Sequence, residues 1–398
     1  MALWRPFRGC WGRPGEGRGE LPASVRPIPR APHPASPREE VGRGVRSCGF
    51  PSPRPYGERP GEGRSELPAP VRPIPRAPHP ASPREEAGRE VPARDMREPP
   101  VDRRLSDGRR HFHDGPIDLV IEAFGEARAV EAAYAAAWRR FATVLDELCT
   151  ELPLLRAPST PTSPRPRGVV ARRMTAAVAP FHAERFVTPM AAVAGAVAEE
   201  ILAAMTSAAR LTRAYVNDGG DIALHLEPGE TFAIGMVDRA DRPSLFGRAT
   251  IRASDPVRGV ATSGWRGRSF SLGIADAVTV LASSAAVADA AATLIANAVD
   301  LPGHPAIERT PARDLDSQSD LGDLLVTTEV GPLVANEIDI ALAAGALEAD
   351  HWRRAGVIEA VALRLGEASR LVGGGAKPYK SVSRDPFLHD ERNAHAVG

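Results

Sequence analysis

The chain has 398 residues, with 50 basic and 50 acidic side chains and a formal net charge of zero. That balance hides an uneven split: residues 1–100 carry 18 Arg against 12 acidic groups and 22 of the 39 prolines, whereas residues 101–398 are acidic by six charges. A neutral total argues against nucleic-acid binding, and no run of 18 apolar residues points to a membrane-crossing helix.

The N-terminus has no apolar signal region, and only Cys149 of the three cysteines (with Cys10 and Cys48) lies in the body. The expected location is therefore cytoplasmic. Lys377 and Lys380 are the only lysines, an arginine bias that fits a GC-rich genome.

The segment Arg13–Glu40 returns as Arg59–Glu86 at an offset of 46, with only Gly19/Ser65 and Ser24/Pro70 differing. Two near-identical copies read as a recent duplication, since a stacked solenoid needs at least about three units. Prolines interrupt every apolar stretch, so residues 1–104 are expected to be a disordered Pro- and Arg-rich arm. A Pro-rich ligand role for Arg26–Arg30 and Arg72–Arg76 is weighed against a non-functional extension, and the extension is favoured.

Order is expected from Leu105. Residues 111–113 and Ile117–Glu122 read as two strands about the Asp114-Gly115-Pro116 turn. Val130, Tyr134, Trp138, Phe141, Val144, Leu145 and Leu148 recur at helical spacing and predict a helix over Ala127–Leu152. Thr188 and Pro189 read as N-cap and first position of an Ala- and Val-rich helix over Met190–Met205. The period then changes to two. Strands are predicted at Ala214–Asn217, Asp221–Leu226, Thr231–Val237, Gly247–Arg252, Gly259–Ser263, Ala277–Ala282 and Leu324–Val330. An Ala-rich helix over Ala285–Val299, capped by Ser283 or Ser284, lies among them. A short helix at Ala346–Arg354, a hairpin over 357–372 and a polar tail from 373 complete the chain. The mixture predicts an α+β domain over 105–372, with mixed or antiparallel sheets packed on long Ala-rich helices.

Three segments can carry chemistry. In Asn217-Asp218-Gly219-Gly220-Asp221 two glycines among carboxylates allow a phosphate to approach, although a plain hairpin turn explains the same residues. In Thr262-Ser263-Gly264-Trp265-Arg266-Gly267-Arg268 the hydroxyls and guanidiniums suit a pyrophosphate, or a solvated loop. Asp289 and Thr293 are i and i+4 on one helix face, a pair able to share Mg²⁺, or an acidic residue near a helix start with a back-bonded Thr. The histidines show no zinc spacing, and the common hydrolase, P-loop and Rossmann fingerprints are missing.

In this order and spacing the three segments resemble the ApbE flavin transferases, with an N-x-G-G-D turn at Asn217–Asp221, a T-S-G loop at Thr262–Gly264 and an A-D-A-x-A-T helix at Ala288–Thr293. Thr231–Asp238 resembles the strand that follows the turn in that family, and the resemblance covers about residues 105–372. It implies FAD and Mg²⁺ as cofactors, Asp289 and Thr293 as metal-binding residues, and movement of FMN onto a Ser or Thr hydroxyl of an acceptor protein. The family's H-I-I-D-P-x-T-G segment has no counterpart in Trp265–Ala277, where Asp276 is the nearest carboxylate. The chain is thus similar to a shorter branch. The resemblance puts Asn217, Gly219, Gly220, Asp221, Thr262, Ser263 and Gly264 on a flavin or nucleotide ligand. The alternative is a protein of this fold that binds or acts on another substrate without flavin transfer.

Overall fold

The computed structural model describes residues 98–238, 245–374 and 376–378. In chain order these form β1 (Val101–Arg104), β2 (Arg110–Asp114), β3 (Ile117–Phe124), α1 (Ala127–Thr150), α2 (Leu152–Leu155) and α3 (Val169–Val178). A 3₁₀ turn at Pro189–Ala192 leads into α4 (Val193–Ala208). Then come β4 (Arg213–Asp218), β5 (Asp221–Leu226), β6 (Thr231–Val237), β7 (Leu245–Arg252), β8 (Gly259–Ser263), β9 (Ala277–Ala282) and α5 (Ala285–Ala298). The chain continues through β10 (Ile307–Pro311), α6 (Ala312–Leu315), β11 (Leu325–Val330), α7 (Ala335–Arg354), β12 (Ala360–Leu365), β13 (Ala368–Val372) and β14 (Ala376–Pro378).

A nine-stranded sheet of order β1-β2-β3-β4-β5-β8-β9-β12-β13 is antiparallel at every step. Its two faces bury different partners, because successive strand residues point to opposite sides. Val216, Ala223, Ala261, Val278 and Val280 join the helices in one core. Their neighbours Tyr215, Ile222, Leu224, Val260 and Leu281 pack with Phe232, Ile234 and Ile251 of the small β14-β7-β6 sheet. The α+β expectation holds, as helices on one side of a large antiparallel sheet and a second sheet on the other.

The small residues of α4 and α5 serve close packing. A Cβ at Gly195 would strike the backbone of Ala285 and Ala286, and one at Gly259 the backbone of Ser284 and Ala285. Helix α4 is tied outward by Arg140 on α1, whose Nε donates to Glu200 at 2.7 Å, and by Arg173 on α3, whose Nη1 donates to Glu199 at 3.3 Å. The stretch Pro189–Ala208 is long and apolar enough to cross a membrane by length and composition, but two-thirds of it is buried inside the domain.

Several boundaries differ from the sequence reading. Strand β1 pairs with β2 inside the expected arm, and β14 pairs with β7 inside the expected tail. Residues 1–97 of the arm, its repeats included, lie outside the described residues. Thr188 makes no capping bond, and its hydroxyl donates to Asp320 instead. Ser284 rather than Ser283 caps α5, accepting from Val287 N at 3.2 Å. Helix α7 begins eleven residues before the predicted Ala346. Helix α3 and strand β10 were not anticipated.

Candidate functional site

The turn between β4 and β5 is two glycines wide, with Gly219 at φ 64° and Gly220 at φ 114°, a region that L side chains adopt only under strain. Asn217 locks it: its side-chain oxygen accepts from Gly220 N at 2.7 Å. Asn217 is therefore a turn residue first. The turn's carboxylates face different fates. Asp218 is buried, its Oδ1 accepts a long 3.5 Å bond from Asp118 N, and its Oδ2 has no hydrogen-bond partner. Asp221 is half-buried and accepts from Thr262 N at 3.3 Å, which joins the first predicted segment to the second.

The third segment arrives from behind the sheet. Strand β8 lies against the start of α5, and Asp289 of that helix raises the proton affinity of both turn carboxylates. Strands β5 and β8, on either side of the first two segments, both pack against α5. Asp289 is buried and its Oδ2 accepts from Gly195 N at 3.0 Å. Gly195 stands in the first turn of α4, so Asp289 caps a helix other than its own. Thr293 is buried and its hydroxyl has no hydrogen-bond partner. An anion cannot take the start of α5, because Glu199 accepts from Ala286 N at 2.9 Å and Ser284 takes the next N–H.

Electrostatics sets these groups apart. Burial pushes the Asp218 carboxyl up to about 8, opposed by Arg268 and reinforced by Asp289 and Asp118. Burial raises Asp221 well above the ordinary carboxylate range, with further push from Asp289 and Asp218. Asp289 rises to about 7 through burial, opposed by the Gly195 N–H. Arg268 is exposed and makes no hydrogen bond to a described residue, and its guanidinium lies where a Cβ on Gly219 would stand. Among the described residues no three His, Cys, Asp or Glu side chains are placed to hold a metal ion by themselves.

The loop after β8 divides into structural and free parts. Thr262 shares a 2.9 Å hydrogen bond with Thr279, and a Cβ on Gly264 would strike the Asp276 carbonyl, so Gly264 serves packing. Ser263 is half-buried at the end of β8. Asp276 is committed: Arg266 Nε donates to it at 3.0 Å and Gly366 N at 2.7 Å. Asp218 and Arg268 were the members that sequence reasoning passed over. Asp218 occupied the variable position of the turn motif, and Arg268 was one of two arginines in the loop with nothing in the sequence to separate them.

Comparison with known proteins matches residues 102–371 to the model of a family described as AbpE bacteria. The chain is 43% identical over 129 residues to a UPF0280 protein of Methanopyrus kandleri, covering 32% of this chain and 48% of that one. It is 36% identical over 166 residues to a UPF0280 protein of Archaeoglobus fulgidus, covering 39% and 64%. The chain spans about half the length of the curated relatives it matches. The apo flavinyl transferase ApbE of Pseudomonas stutzeri aligns over 75% of this chain and 97% of that one, at 12% identity and a TM-score of 0.30. A likeness that loose transfers no residue's role.

Proposed function

The chain belongs to the family described as AbpE bacteria, and from that membership we propose that its domain binds FAD or a related nucleotide together with a divalent cation, Mg²⁺ by the family's chemistry. The trio Asp218, Asp221 and Asp289 carries this reading: three carboxylates whose proton affinity is raised because burial leaves their charge under-compensated. A bound cation relieves that repulsion, and all-oxygen donors suit a hard one. The unpartnered hydroxyl of Thr293 and the carboxylate of Asp289 one turn away are the residues that would hold it. Two protein oxygens suffice for Mg²⁺, which keeps phosphate oxygens and water for its remaining positions. When bound, the cation would neutralise phosphate charge.

The chain's own groups orient the ligand. Arg268, which makes no hydrogen bond to a described residue, lies over Gly219 and donates to phosphate oxygens, and Gly220 leaves open space beside it. Ser263 offers a hydroxyl at the end of β8, while Asn217 and Gly264 hold the loops in shape. Binding without transfer is favoured over FMN transfer to an acceptor protein, because the Trp265–Ala277 interval holds no histidine and its acid Asp276 is tied down by Arg266 and Gly366.

Incubating the full chain with FAD and Mg²⁺, and following both retained flavin and released AMP, tests the reading. Retained flavin without AMP supports binding alone. AMP release together with a flavin-labelled protein hydroxyl supports transfer. Neither retained flavin nor AMP refutes both.

A further inference from the structure

Two tight turns stand at the end of β5 away from the candidate site. After Leu226 the chain turns at Pro228-Gly229, where Glu230 N donates to Glu227 O at 3.0 Å and Gly229 takes φ 93°, a value that glycine after proline adopts readily. At the end of β7 it turns again: Asp255 N donates to Arg252 O at 3.0 Å, and the Asp255 side chain accepts from Arg252 N at 2.8 Å. Ala253 N donates to Glu230 O at 3.0 Å and ties the two turns together. Both turns line a cavity of about 520 Å³, which falls among small-molecule sites of about 300–1,000 Å³. We propose that this cavity is a second ligand site, for a small organic anion in which a carboxylate or phosphate is joined to an apolar body.

The guanidinium of Arg258, in the cavity lining, commits the ligand to an anion. Its Nη1 donates to the carbonyls of Asp255 at 2.7 Å and Val257 at 2.6 Å, and its Nη2 to that of Ala253 at 2.7 Å. Those bonds hold the group in place and leave the Nε–H and one N–H of Nη2 unused. Nε and Nη2 together grip a carboxylate or a phosphate by two bonds at once. Among the described residues no carboxylate pairs with Arg258, and the exposed side chain of Arg252 makes no hydrogen bond or ion pair. The acid in the lining, Glu230, is paired with Arg213 at 3.7 Å, and Asp255 is spent on its own turn. Positive charge is therefore in excess around the cavity. Leu226 and Ala253 give it apolar surface, and Thr231 and Ser254 give it hydroxyls, which suits an apolar body with few polar groups. The cavity is separate from the nucleotide site, because Leu226 and Asp221 end β5 at opposite sides of the sheet, about 17 Å apart along the strand.

Calorimetric titration of the full chain with phenyl phosphate and with benzoate, beside uncharged benzyl alcohol, tests this. Wild type should bind at least one of the two anions saturably, and about 10-fold or more tighter than the alcohol. The tighter anion names the head group that Arg258 reads. Arg252→Gln should weaken that anion about 3–10-fold, and Thr231→Glu, which adds a carboxylate to the lining, by more than about 10-fold. Both positions are exposed, so melting curves and FAD binding should match wild type, which separates this site from the fold and from the nucleotide site. Arg258→Lys keeps the charge without the two-bond grip and should weaken the anion about 10-fold. Because Arg258 also holds three carbonyls, its melting curve is measured too, and the two exposed variants carry the test if it unfolds. Failure of wild type to bind either anion saturably overturns the proposal. So does benzyl alcohol bound as tightly as the anions, or an anion affinity that Arg252→Gln and Thr231→Glu both leave unchanged.

Discussion

Replacing Asp218 by Asn tests the electrostatics of the site without any ligand. Asp218 is 1% exposed, its Oδ2 is unpartnered, and burial lifts its carboxyl from 3.8 to about 8. Between those limits the folded protein keeps a proton that the unfolded chain has released. The group's stabilising contribution is therefore complete below the unfolded value and is lost as the pH climbs through the folded one. At about 1.4 kcal/mol per unit the ceiling is about 5–6 kcal/mol. Relaxation around the charge and entry of water bring the measurable share to roughly 2–3 kcal/mol. Asn keeps the shape and cannot ionise. In the absence of divalent cations Asp218→Asn should be more stable than wild type by roughly 2–3 kcal/mol at about pH 8, and within about 1 kcal/mol of it at about pH 5. Urea unfolding curves at the two pH values provide the measurement. A variant destabilised equally at both would show that the folded carboxyl is not under electrostatic strain, and the reasoning would fail.

Arg268→Ala should weaken FAD binding by about 10–100-fold, the loss of one or two charge-assisted phosphate contacts, while calorimetric melting stays unchanged because the side chain is exposed. Thr293→Val should leave the ligand-free protein as stable as wild type or slightly more so, since it removes a buried hydroxyl that has no partner, yet it should lower Mg²⁺ affinity by titration. Gly259→Ala drives a methyl into the backbone at Ser284 and Ala285, and thermal unfolding should report a loss of about 1–3 kcal/mol or more.

Much of the frame could be read from residue order. The period of two from Ala214 onward marks β4 to β9 because β4, β5, β8 and β9 bury alternate residues in two different cores, while β6 and β7 bury alternate residues on one face only. Helix α1 was legible because its apolar residues all face one core. The first half of α7 was not, since it combines Asn336, Glu337 and Asp339 with an outward Ile340 and so breaks the amphipathic pattern. Strand β10 escaped notice because Ile307-Glu308-Arg309-Thr310-Pro311 holds a single apolar side chain that is buried, and a pairing with β11 across sequence decides its state. At the site, the three segments were visible as turn, loop and helix. What no spacing conveyed was tertiary: Asp289 capping α4 through Gly195, Glu199 occupying the start of α5, and Asp218 buried rather than exposed in its turn. Capping gives Asp289 a structural duty beside the proposed one, so Asp289→Asn is expected to lose some stability as well as cation affinity, whereas Thr293→Val isolates the cation.

On the proposed reading, a cation and a nucleotide share the ground beside Asp218, Asp221 and Asp289. Calorimetric titration of FAD into the full chain, with Mg²⁺ or with chelator, at about pH 6 and about pH 8, tests it most directly. Protons compete with the cation for carboxylates raised to about 7 and about 8. Mg²⁺ should strengthen FAD binding, and do so more at the higher pH, where those carboxylates are ionised. FAD affinity that is the same with Mg²⁺ and with chelator at both pH values would contradict it.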